Sequence, residues 1–338
     1  MNLRVAINGF GRIGRTFFRA AQKSDLEIVA INDLTTPDTL AHLLKYDSSY
    51  GVLNENISAN ENEIIINDKK IKCTQITEPE NLPWKDLQID LVIESTGVFR
   101  KSSDVKKHLH AGAQRVIVTA PLKDKSEIKT IVPGVNEDII TPNDKIFSMA
   151  SCTTNCLAPI LKILDEALGV KYAFMTTIHS YTMDQNLQDS PHKDLRRARA
   201  AANSIIPTTT GATTAVELVL PKLKGKLKGL AFRVPTITVS VVDVVVEFEQ
   251  QTNPKLINAA FSEASKERKY YEAISVSNKP LVSVDFRFNP NAAIIDTEFT
   301  QMIDDNKAKV IAWYDNEMGY SHRLVALSEY LSKRNFSS

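Results

Sequence analysis

The chain has 338 residues, of which 43% are hydrophobic and 24% are charged. Lysine and arginine total 41, and aspartate and glutamate total 40, which argues against nucleic acid or an acidic membrane as the primary partner. The length favours two domains over one. We expect neither a membrane span, which needs roughly 18 apolar residues, nor a signal peptide. Three cysteines predict no disulfide framework and favour the reducing cytoplasm.

The first elements have the pattern of a dinucleotide-binding turn. A β-type run, LRVAIN, leads into GFGRIG (residues 9–14), a helical stretch follows, and a second β-type run, EIVAIND, ends at Asp33. Strand, glycine turn, helix, strand and acid are the context that this fingerprint requires. Gly9 then makes the tight turn, Gly11 lets the backbone approach a diphosphate at the helix N-terminus, and Gly14 allows close helix packing. The alternative is an ordinary βαβ turn with glycines used for packing.

The next apolar runs extend this pattern. DLVIESTG and RVIVTAP each end in small or polar residues, as parallel strands do when both faces are buried. Thr96, Gly97 and Thr119 would line a cleft at the carboxyl ends of those strands. A simple strand end explains Thr119 almost equally well. The first half is therefore predicted to be a doubly wound α/β domain.

The stretch SCTTNC holds two of the three cysteines at the predicted start of a helix. Ser151 or Thr153 can cap this helix, which places Cys152 at its N-terminus, where the helix dipole and neighbouring cations lower the pKa of a thiol. Cys156 should lie one turn deeper on the same side. Pro159 predicts a short or kinked first turn, because proline cannot donate to the helical ladder.

Several functions of these cysteines are consistent with the sequence. A metal site lacks further ligands, since there is no CxxC or HExxH motif, and none is predicted. A redox disulfide between Cys152 and Cys156 and a pair of buried structural thiols both stay open. A nucleophile would need a base, and His179 ends the β-type run YAFMTTIHSYT. Spacing alone leaves the pairing of Cys152 with His179 undecided.

The following segment is rich in arginine and hydroxyl groups. A charged helix turn carries Arg196, Arg197 and Arg199 ahead of TTTGA (residues 208–212), and Arg233 ends an apolar run. These arginines either cover a solvated or interface surface or bind phosphate through guanidinium and hydroxyl donors. Nucleic acid is a poorer third choice, because aromatic stacking platforms are missing.

The second half predicts an α+β domain. The β-type runs VSVVDVVVEFE, PLVSVDFRF, AAIIDT and AKVIAWYDN are typical of a mainly antiparallel sheet, and helices are predicted near KLINAAFSEASKE and MGYSHRLVALSEYLSK. The last of these helices is expected to return to the first domain.

Eight stretches, in order along nearly the whole chain, resemble the phosphorylating glyceraldehyde-3-phosphate dehydrogenases: INGFGRIGR, LLKYDS, SCTTNCLAP, HSYT, RRARAAA, IIPTTTGA, RVPT and WYDNEMGY. The resemblance implies a Rossmann-type NAD-binding domain at residues 1–151 and a catalytic domain at 152–316. It also implies a cofactor-lining S-loop at 181–203 and a C-terminal helix at 317–338. A cytoplasmic homotetramer acting in glycolysis or gluconeogenesis is implied in the same way.

The resemblance also implies a mechanism. Cys152 attacks the aldehyde of glyceraldehyde 3-phosphate, His179 accepts the thiol proton, a hydride passes to NAD, and inorganic phosphate cleaves the thioester to give 1,3-bisphosphoglycerate. Matching positions predict the other site residues. Those for the cofactor are Gly9, Phe10, Gly11, Arg12, Ile13, Gly14, Asn32, Asp33, Thr96, Gly97, Thr119 and Asn316. Those for the substrate phosphate are Thr182 and Arg233, and those for the attacking phosphate are Ser151, Thr153, Arg197, Thr210 and Gly211.

Cofactor choice and a rival substrate also follow from this resemblance. Asp33, with no adjacent cation, favours NAD over NADP because it would accept a hydrogen bond from the ribose 2′-hydroxyl and repel a 2′-phosphate. Leu34 and Pro191 agree with NAD use. The sequence departs from the family pattern at Met149, Met183 and Ser190. Erythrose-4-phosphate dehydrogenase is the closest alternative, and HSYT and TTTGA favour the two-phosphate reaction over it.

Overall fold

The computed structural model describes residues 3–124 and 127–334. The chain divides into two compact units, the first comprising Met1–Ile131, Asp138–Ala150 and Leu324–Ser338, and the second comprising Val132–Glu137 and Ser151–Arg323. Residues 1–2 and 125–126 of the predicted first domain, and 335–338 of the predicted C-terminal segment, lie outside the described residues. No helix in the described ranges is long and apolar enough to cross a membrane.

The first unit is built on a nine-stranded sheet. Its strands are β1 (Leu3–Asn8), β2 (Leu26–Asn32), β5 (Ile57–Asn60), β6 (Glu63–Ile66), β7 (Lys69–Thr74), β8 (Leu91–Glu94), β9 (Arg115–Val118), β10 (Lys129–Thr130) and β11 (Ile146–Ser148), while β3 (Tyr46–Asp47) and β4 (Gly51–Val52) form a separate pair. The order is β10-β11-β9-β8-β1-β2-β7-β6-β5. Pairing is parallel from β10 to β7 and antiparallel from β7 to β5.

The helices of the first unit are α1 (Arg12–Ala20), α2 (Pro37–Lys45) and α3 (Ser102–His110), and short 3-10 helices lie at Ala21–Lys23, Pro79–Asn81 and Glu137–Ile139. The β8 strand is buried at all of its positions, as expected for a central parallel strand covered on both faces. The predicted Rossmann-type sheet is confirmed.

A buried polar network joins the carboxyl ends of the central strands. Glu94, at the end of β8, accepts hydrogen bonds from Asn8 Nδ2 at 2.6 Å and from the backbone N–H of Thr96 at 2.9 Å. His108 Nε2 lies 2.9 Å from the same carboxylate, and Trp84 Nε1 donates to His108 Nδ1 at 3.1 Å. Because Nδ1 accepts from Trp84, the ring proton lies on Nε2 and is donated to Glu94. The network fixes these strand ends relative to one another.

Replacing Glu94 by alanine is expected to destabilise the protein by about 3 kcal/mol or more, because Asn8, Thr96 and His108 would lose their buried acceptor. The matched control is Glu78→Ala, which removes an exposed carboxylate that pairs with Lys107 at 3.0 Å and should cost about 1 kcal/mol or less. Guanidinium unfolding curves of both variants give the comparison. Equal midpoints would show that the Glu94 network contributes no more than a surface ion pair.

The second unit is built on a seven-stranded mixed sheet. Its strands are β12 (Val170–Ser180), β13 (Ile206–Thr208), β14 (Leu227–Val234), β15 (Ser240–Phe248), β16 (Ile274–Ser277), β17 (Ala293–Asp304) and β18 (Lys307–Tyr314). The order is β13-β14-β12-β15-β18-β17-β16, with β12–β14 and β16–β17 parallel and the other pairs antiparallel. The predicted α+β class with a mainly antiparallel sheet is confirmed.

The helices of this unit are α4 (Cys152–Leu168), α5 (Ala212–Val219) and α6 (Pro254–Ala264), while α7 (Met318–Lys333) begins here and belongs to the first unit from Leu324 onward. Short 3-10 helices lie at Ala201–Asn203, Pro221–Leu223, Arg268–Tyr270 and Ser283–Phe286. Leu157, Ile160, Leu161 and Leu164 bury one face of α4 in the main core of this unit. That core holds the start of α4 and the end of β12 in place.

One predicted strand is wrong, and one predicted helix turn is less regular than expected. PLVSVDFRF is not a strand but contains the 3-10 helix Ser283–Phe286, because Asp285 accepts from the Val282 N–H at 2.9 Å and Phe286 turns inward to stack on Trp313. The charged helix turn expected around Arg196 is present only as one isolated turn, closed by the Ala198 N–H on the Asp194 carbonyl at 3.1 Å, and the rest of residues 181–200 forms bends and turns. Asp189 accepts the Ala200 N–H, which a longer helix would donate to the Arg196 carbonyl.

Pro159 does not shorten α4, which continues without a break from Cys152 to Leu168. Of the predicted short or kinked first turn, the shortening is therefore wrong. Proline costs the helix one backbone hydrogen bond at this position. Pro159 is one of the buried residues of α4. Packing of a buried helix face against the rest of the protein supplies most of the stability of a helix, and here it offsets the lost hydrogen bond.

Candidate active site

The turn after β1 has the geometry of a diphosphate site. Gly9 has φ +88°, a conformation that favours glycine, and a Cβ there would lie 2.6 Å from Thr96 N. At Gly14 a Cβ would lie 2.4 Å from the Gly9 carbonyl oxygen, whereas a Cβ at Gly11 would meet open space. No side chain caps the N-terminus of α1. The N–H groups at the start of this helix are thus suited to an anion, and these features fit the diphosphate of NAD.

Asp33 stands at the end of β2 with both carboxylate oxygens held by backbone. Oδ2 accepts from Phe10 N at 2.8 Å and Oδ1 accepts from Thr35 N at 3.0 Å. Arg12 pairs with Asp47 at 2.5 Å, and Arg15 donates to the Phe10 carbonyl at 2.8 Å. Both arginines thus have acceptors other than Asp33, and the Asp33 carboxylate at the end of the strand is suited to a ribose hydroxyl.

The other predicted cofactor residues of this unit differ in what they expose. Asn32 is 5% exposed. Its side-chain amide makes hydrogen bonds with the side chain of Asn8 and the backbone of Ile76, so it stabilises the interior of the unit. Phe10 is fully buried and offers only its backbone, while Ile13 is partly buried in α1. Thr96, Gly97 and Thr119 follow β8 and β9 as predicted. Of these, Gly97 has φ +71° and open space around it.

In the second unit, α4 and β12 bring a thiol and an imidazole together. Ser151 caps α4, accepting from Thr154 N at 3.1 Å, and Cys152 is the first helical residue. Cys152 Sγ lies 3.3 Å from His179 Nε2. All three cysteines are free thiols, and Cys156 is fully buried. The geometry places Cys152, not Cys156, within reach of a base.

The electrostatic environment keeps this pair neutral. Burial raises the pKa of the Cys152 thiol, and the charge of Arg233 and the hydrogen bond from Thr153 only partly oppose that effect. Burial, and then the charge of Arg233, lower the pKa of His179 to about 3. The prediction that the helix N-terminus leaves Cys152 with a lowered pKa is therefore wrong for this partly buried thiol. The resting pair is a thiol and a neutral imidazole that can accept its proton.

Tyr314 contacts the His179 ring and the hydroxyl of Thr153, the residue after Cys152. Its hydroxyl lies 2.8 Å from Thr153 Oγ1 and 2.9 Å from Thr177 Oγ1, and its ring meets the His179 ring edge-on at 5.9 Å. Thr153, predicted to bind phosphate, is 5% exposed with its hydroxyl on Tyr314. Tyr314 lies in the stretch WYDNEMGY, but its contacts with Thr153 and His179 could not be predicted, because no local pattern connects the end of β18 with α4.

Arginine lies directly beside the imidazole. Arg233, on β14, pairs in register with His179 on β12 and places Nη1 2.6 Å from His179 Nδ1 and 3.1 Å from the Ser180 carbonyl. Arg233 Nε is buried with no hydrogen-bond partner among the described residues. An arginine with an unused donor next to the thiol–histidine pair is suited to an anionic substrate group.

A second arginine is held in the loop after β12. Arg197 donates through Nε and Nη2 to Thr208 Oγ1, both at 3.1 Å, and through Nη1 to Asp184, which also accepts from the Thr182 hydroxyl. Asp184 and Thr208 were missed in the sequence as members of this cluster. Hydroxyl and carboxylate side chains are too common in loops for spacing to single them out.

The remaining predicted residues lie at element ends. Thr210 Oγ1 accepts from Ala212 N at 3.1 Å, and Gly211 precedes α5 with no side-chain cap. Asn316 is 5% exposed, and its Oδ1 accepts from Ser240 Oγ at 3.0 Å, which fixes the orientation of its amide. Met149 is fully buried and Met183 is 89% exposed. Among the described residues, no group of three potential ligands could hold a metal ion.

A parallel sheet with a glycine turn suited to a diphosphate, followed by a unit with a thiol–imidazole pair beside an arginine, is typical of a dehydrogenase that oxidises a substrate held on cysteine. Comparison with known families is more specific. Residues 3–102 match the glyceraldehyde 3-phosphate dehydrogenase NAD binding domain, and residues 151–316 match the C-terminal domain of the same family. The chain belongs to the glyceraldehyde 3-phosphate dehydrogenase family, a family of NAD-dependent oxidoreductases.

Individual relatives cover nearly the whole chain. A protein named glyceraldehyde-3-phosphate dehydrogenase from Geobacillus stearothermophilus is 53% identical over 99% of this chain and 99% of its own length. Glyceraldehyde-3-phosphate dehydrogenase 1 from Bacillus cereus is 52% identical over 98% of this chain and 99% of its own. The Mycobacterium avium relative of the same name is 51% identical over 98% and 99%. These matches agree with the resemblance drawn from the eight stretches.

Proposed function

We propose that the protein is a phosphorylating glyceraldehyde-3-phosphate dehydrogenase, converting D-glyceraldehyde 3-phosphate, NAD and inorganic phosphate into 1,3-bisphosphoglycerate in glycolysis or gluconeogenesis. The observation that carries this proposal is the 3.3 Å contact between Cys152 Sγ and His179 Nε2 beside the guanidinium of Arg233. The family membership supports it, and the relatives named above carry the same enzyme name.

In this reaction His179 Nε2 takes the proton of the Cys152 thiol as sulfur attacks the aldehyde carbon. For Nε2 to accept this proton the ring proton must lie on Nδ1, where it is donated to the Ser180 carbonyl 2.7 Å away and orients the ring. In this tautomer the approach of Arg233 Nη1 to Nδ1 is a charge contact and not a hydrogen bond, and Nη1 donates to the Ser180 carbonyl instead. The chemistry that NAD supplies when bound is acceptance of a hydride. Cys152 then carries the substrate as a thioester, which keeps the acyl group activated until inorganic phosphate attacks its carbon and the thiol leaves.

The two arginines are proposed to serve different anions. Arg233, next to His179, would hold the phosphate of the aldehyde together with Thr182. Arg197 would hold the attacking phosphate together with Ser151, Thr153, Thr210 and Gly211. Asn316, with its amide oriented by Ser240, would orient the nicotinamide. Guanidinium groups suit this role because their fixed N–H donors match phosphate oxygens.

Substitution should separate the two arginine roles. Arg233→Leu is expected chiefly to raise KM for the phosphorylated aldehyde, and Arg197→Leu chiefly to raise KM for inorganic phosphate, each by ten-fold or more, since a charge-assisted bond contributes about 1.5–3 kcal/mol. Arg199→Leu is the matched control, because the ion pair that Arg199 makes within the described part of the chain is with the exposed Asp189 of the same loop. Steady-state rates over both substrates test this. If neither variant changes phosphate dependence, these arginines serve a structural surface.

Asp33 is proposed to select NAD over NADP. Replacing Asp33 by glycine should lower the kcat/KM ratio of NAD to NADP by roughly ten-fold or more, because it removes a charged hydrogen-bond acceptor for the ribose and a repulsion of the 2′-phosphate. Asp38→Asn removes a nearby exposed charge and serves as control. Kinetics with both cofactors give the ratios. An unchanged ratio in the Asp33 variant would show that another residue selects the cofactor.

The loop at residues 181–203 is proposed to contact a neighbouring subunit of a homotetramer. Met183, Leu187 and Leu195 are 89%, 76% and 80% exposed, a concentration of apolar surface that a partner would cover. The three free thiols fit a reducing cytoplasm. Sedimentation equilibrium tests the assembly, and a monomer at micromolar concentration would contradict it.

Erythrose 4-phosphate is the alternative substrate. NADH formation from each aldehyde, with and without inorganic phosphate, tests the proposed function directly. We expect glyceraldehyde 3-phosphate to give the higher kcat/KM and to depend on inorganic phosphate. Preferred oxidation of erythrose 4-phosphate, or turnover that does not need phosphate, would overturn the proposal.

A further inference from the structure

One carboxylate contacts a donor of each proposed phosphate site. Asp184 Oδ1 accepts the hydrogen bond of the Thr182 hydroxyl, and Asp184 Oδ2 accepts that of Arg197 Nη1. Thr182 is assigned above to the substrate phosphate and Arg197 to the attacking phosphate. Asp184 therefore links, through its two oxygens, side chains that serve different anions.

Asp184 is charged where it lies. Burial alone would raise its pKa, but the hydrogen bond from Thr182 and the positive charges of Arg233 and Arg197 outweigh that effect and hold the pKa below its usual range. The carboxylate is therefore an anion at neutral pH. The carboxylate lies near Arg197 and Arg233, the two positive groups that are proposed to bind phosphate.

The carboxylate can leave without disturbing the core. Asp184 is 43% exposed at its side chain and lies in a turn closed by the Gln185 N–H on the Thr182 carbonyl at 3.0 Å. Arg197 would keep two further bonds, from Nε and Nη2 to Thr208 Oγ1. Loss of the Asp184 contact therefore frees one donor of Arg197 and leaves its other donors in place.

We propose that Asp184 is an internal competitor that couples the two phosphate sites. In the unliganded enzyme its carboxylate holds Thr182 and Arg197 together. A phosphate that binds at either residue displaces the carboxylate and so frees the donor at the other site. This inference rests on the proposed function, because it takes Thr182 and Arg197 as ligands of two different anions. The displacement offsets part of the repulsion between two phosphates bound close together.

Binding measurements on the NAD-loaded enzyme test the coupling. Inorganic phosphate is titrated by calorimetry with and without saturating glycerol 3-phosphate, an unreactive analogue of the aldehyde. In the wild type, glycerol 3-phosphate should tighten phosphate binding about five-fold or more, the lower range of typical coupling between sites. In Asp184→Asn, phosphate alone should bind more tightly than to the wild type, and glycerol 3-phosphate should add no further tightening.

Asp189→Asn is the matched control, because it removes one charge from the same loop but contacts Arg199 and the Ala200 N–H, not Thr182 or Arg197. It should retain the coupling. Weaker phosphate binding in Asp184→Asn, or coupling equal to the wild type, overturns the inference, and thermal unfolding shows that the variant is folded. If wild-type enzyme binds neither anion and oxidises no phosphorylated aldehyde, the proposed function itself fails.

Discussion

Replacing Cys152 by serine is expected to reduce turnover by roughly 10⁴-fold or more, the order of loss seen when the nucleophile of a covalent mechanism is removed. Cys152 is the first residue of α4, and its Sγ lies 3.3 Å from His179 Nε2, which can act as its base. A serine hydroxyl keeps the position but is a weaker acid and forms an ester in place of a thioester. Initial rates of NADH formation measure the loss.

The matched control is Cys156→Ser, one helical turn deeper. Cys156 is fully buried, and burial raises its pKa well above the usual value, so it should not be a nucleophile. This variant should retain most of the turnover while losing some stability, because it buries a hydroxyl group in the core. Iodoacetamide should label position 152 in wild type and in the Cys156 variant. Equal losses of activity in the two variants would contradict the assignment of Cys152.

The first unit was largely predictable because its signals are local. Backbone atoms lie so close to Gly9 and Gly14 that a Cβ at either position would collide with them. This requirement for glycine is visible in the sequence as the spaced glycine pattern. The run that ends at Glu94 was likewise predictable as a buried strand from its apolar character. The bonds of Glu94 were not, because His108 and Asn8 reach it from distant points of the chain.

The second unit shows why some patterns mislead. PLVSVDFRF alternates apolar and polar residues as a strand does, yet Asp285 bonds the backbone of its own turn and Val282 and Val284 stay exposed. Alternation predicts a strand only where a neighbouring strand is available to pair with it, and that depends on tertiary structure. The same limit explains why the cluster of Asp184, Arg197 and Thr208 could not be predicted.

The pKa of the Cys152 thiol is a further property that could not be predicted from the sequence. A helix N-terminus is visible in sequence and lowers the pKa of a thiol, but the depth of burial is visible only in the fold. At Cys152 burial is the larger effect. The consequence is that the enzyme needs a base for attack at neutral pH, and His179 is the neutral group in contact.

Replacing His179 by asparagine is therefore expected to slow acylation of Cys152 by about 10²–10⁴-fold, the usual contribution of a general base. Cofactor binding should be unchanged, because His179 is not among the residues proposed to bind NAD. The pre-steady-state burst of NADH formation measures acylation. His110→Asn, which removes an imidazole from an exposed position, is the control and should leave the burst unchanged.

The pH dependence distinguishes a base from a merely structural histidine. The pKa of His179 is lowered to about 3, so its imidazole remains neutral, and able to accept a proton, throughout the range from pH 5 to 9. Without it, attack requires a thiolate formed by loss of a proton to solvent, and because the pKa of Cys152 is raised, that fraction grows about ten-fold per pH unit across neutrality. The His179 variant should therefore show a steep rise in acylation rate with pH where the wild type shows a shallow one. Parallel profiles, or a loss well below a hundred-fold, would mean that His179 only supports the fold around Cys152.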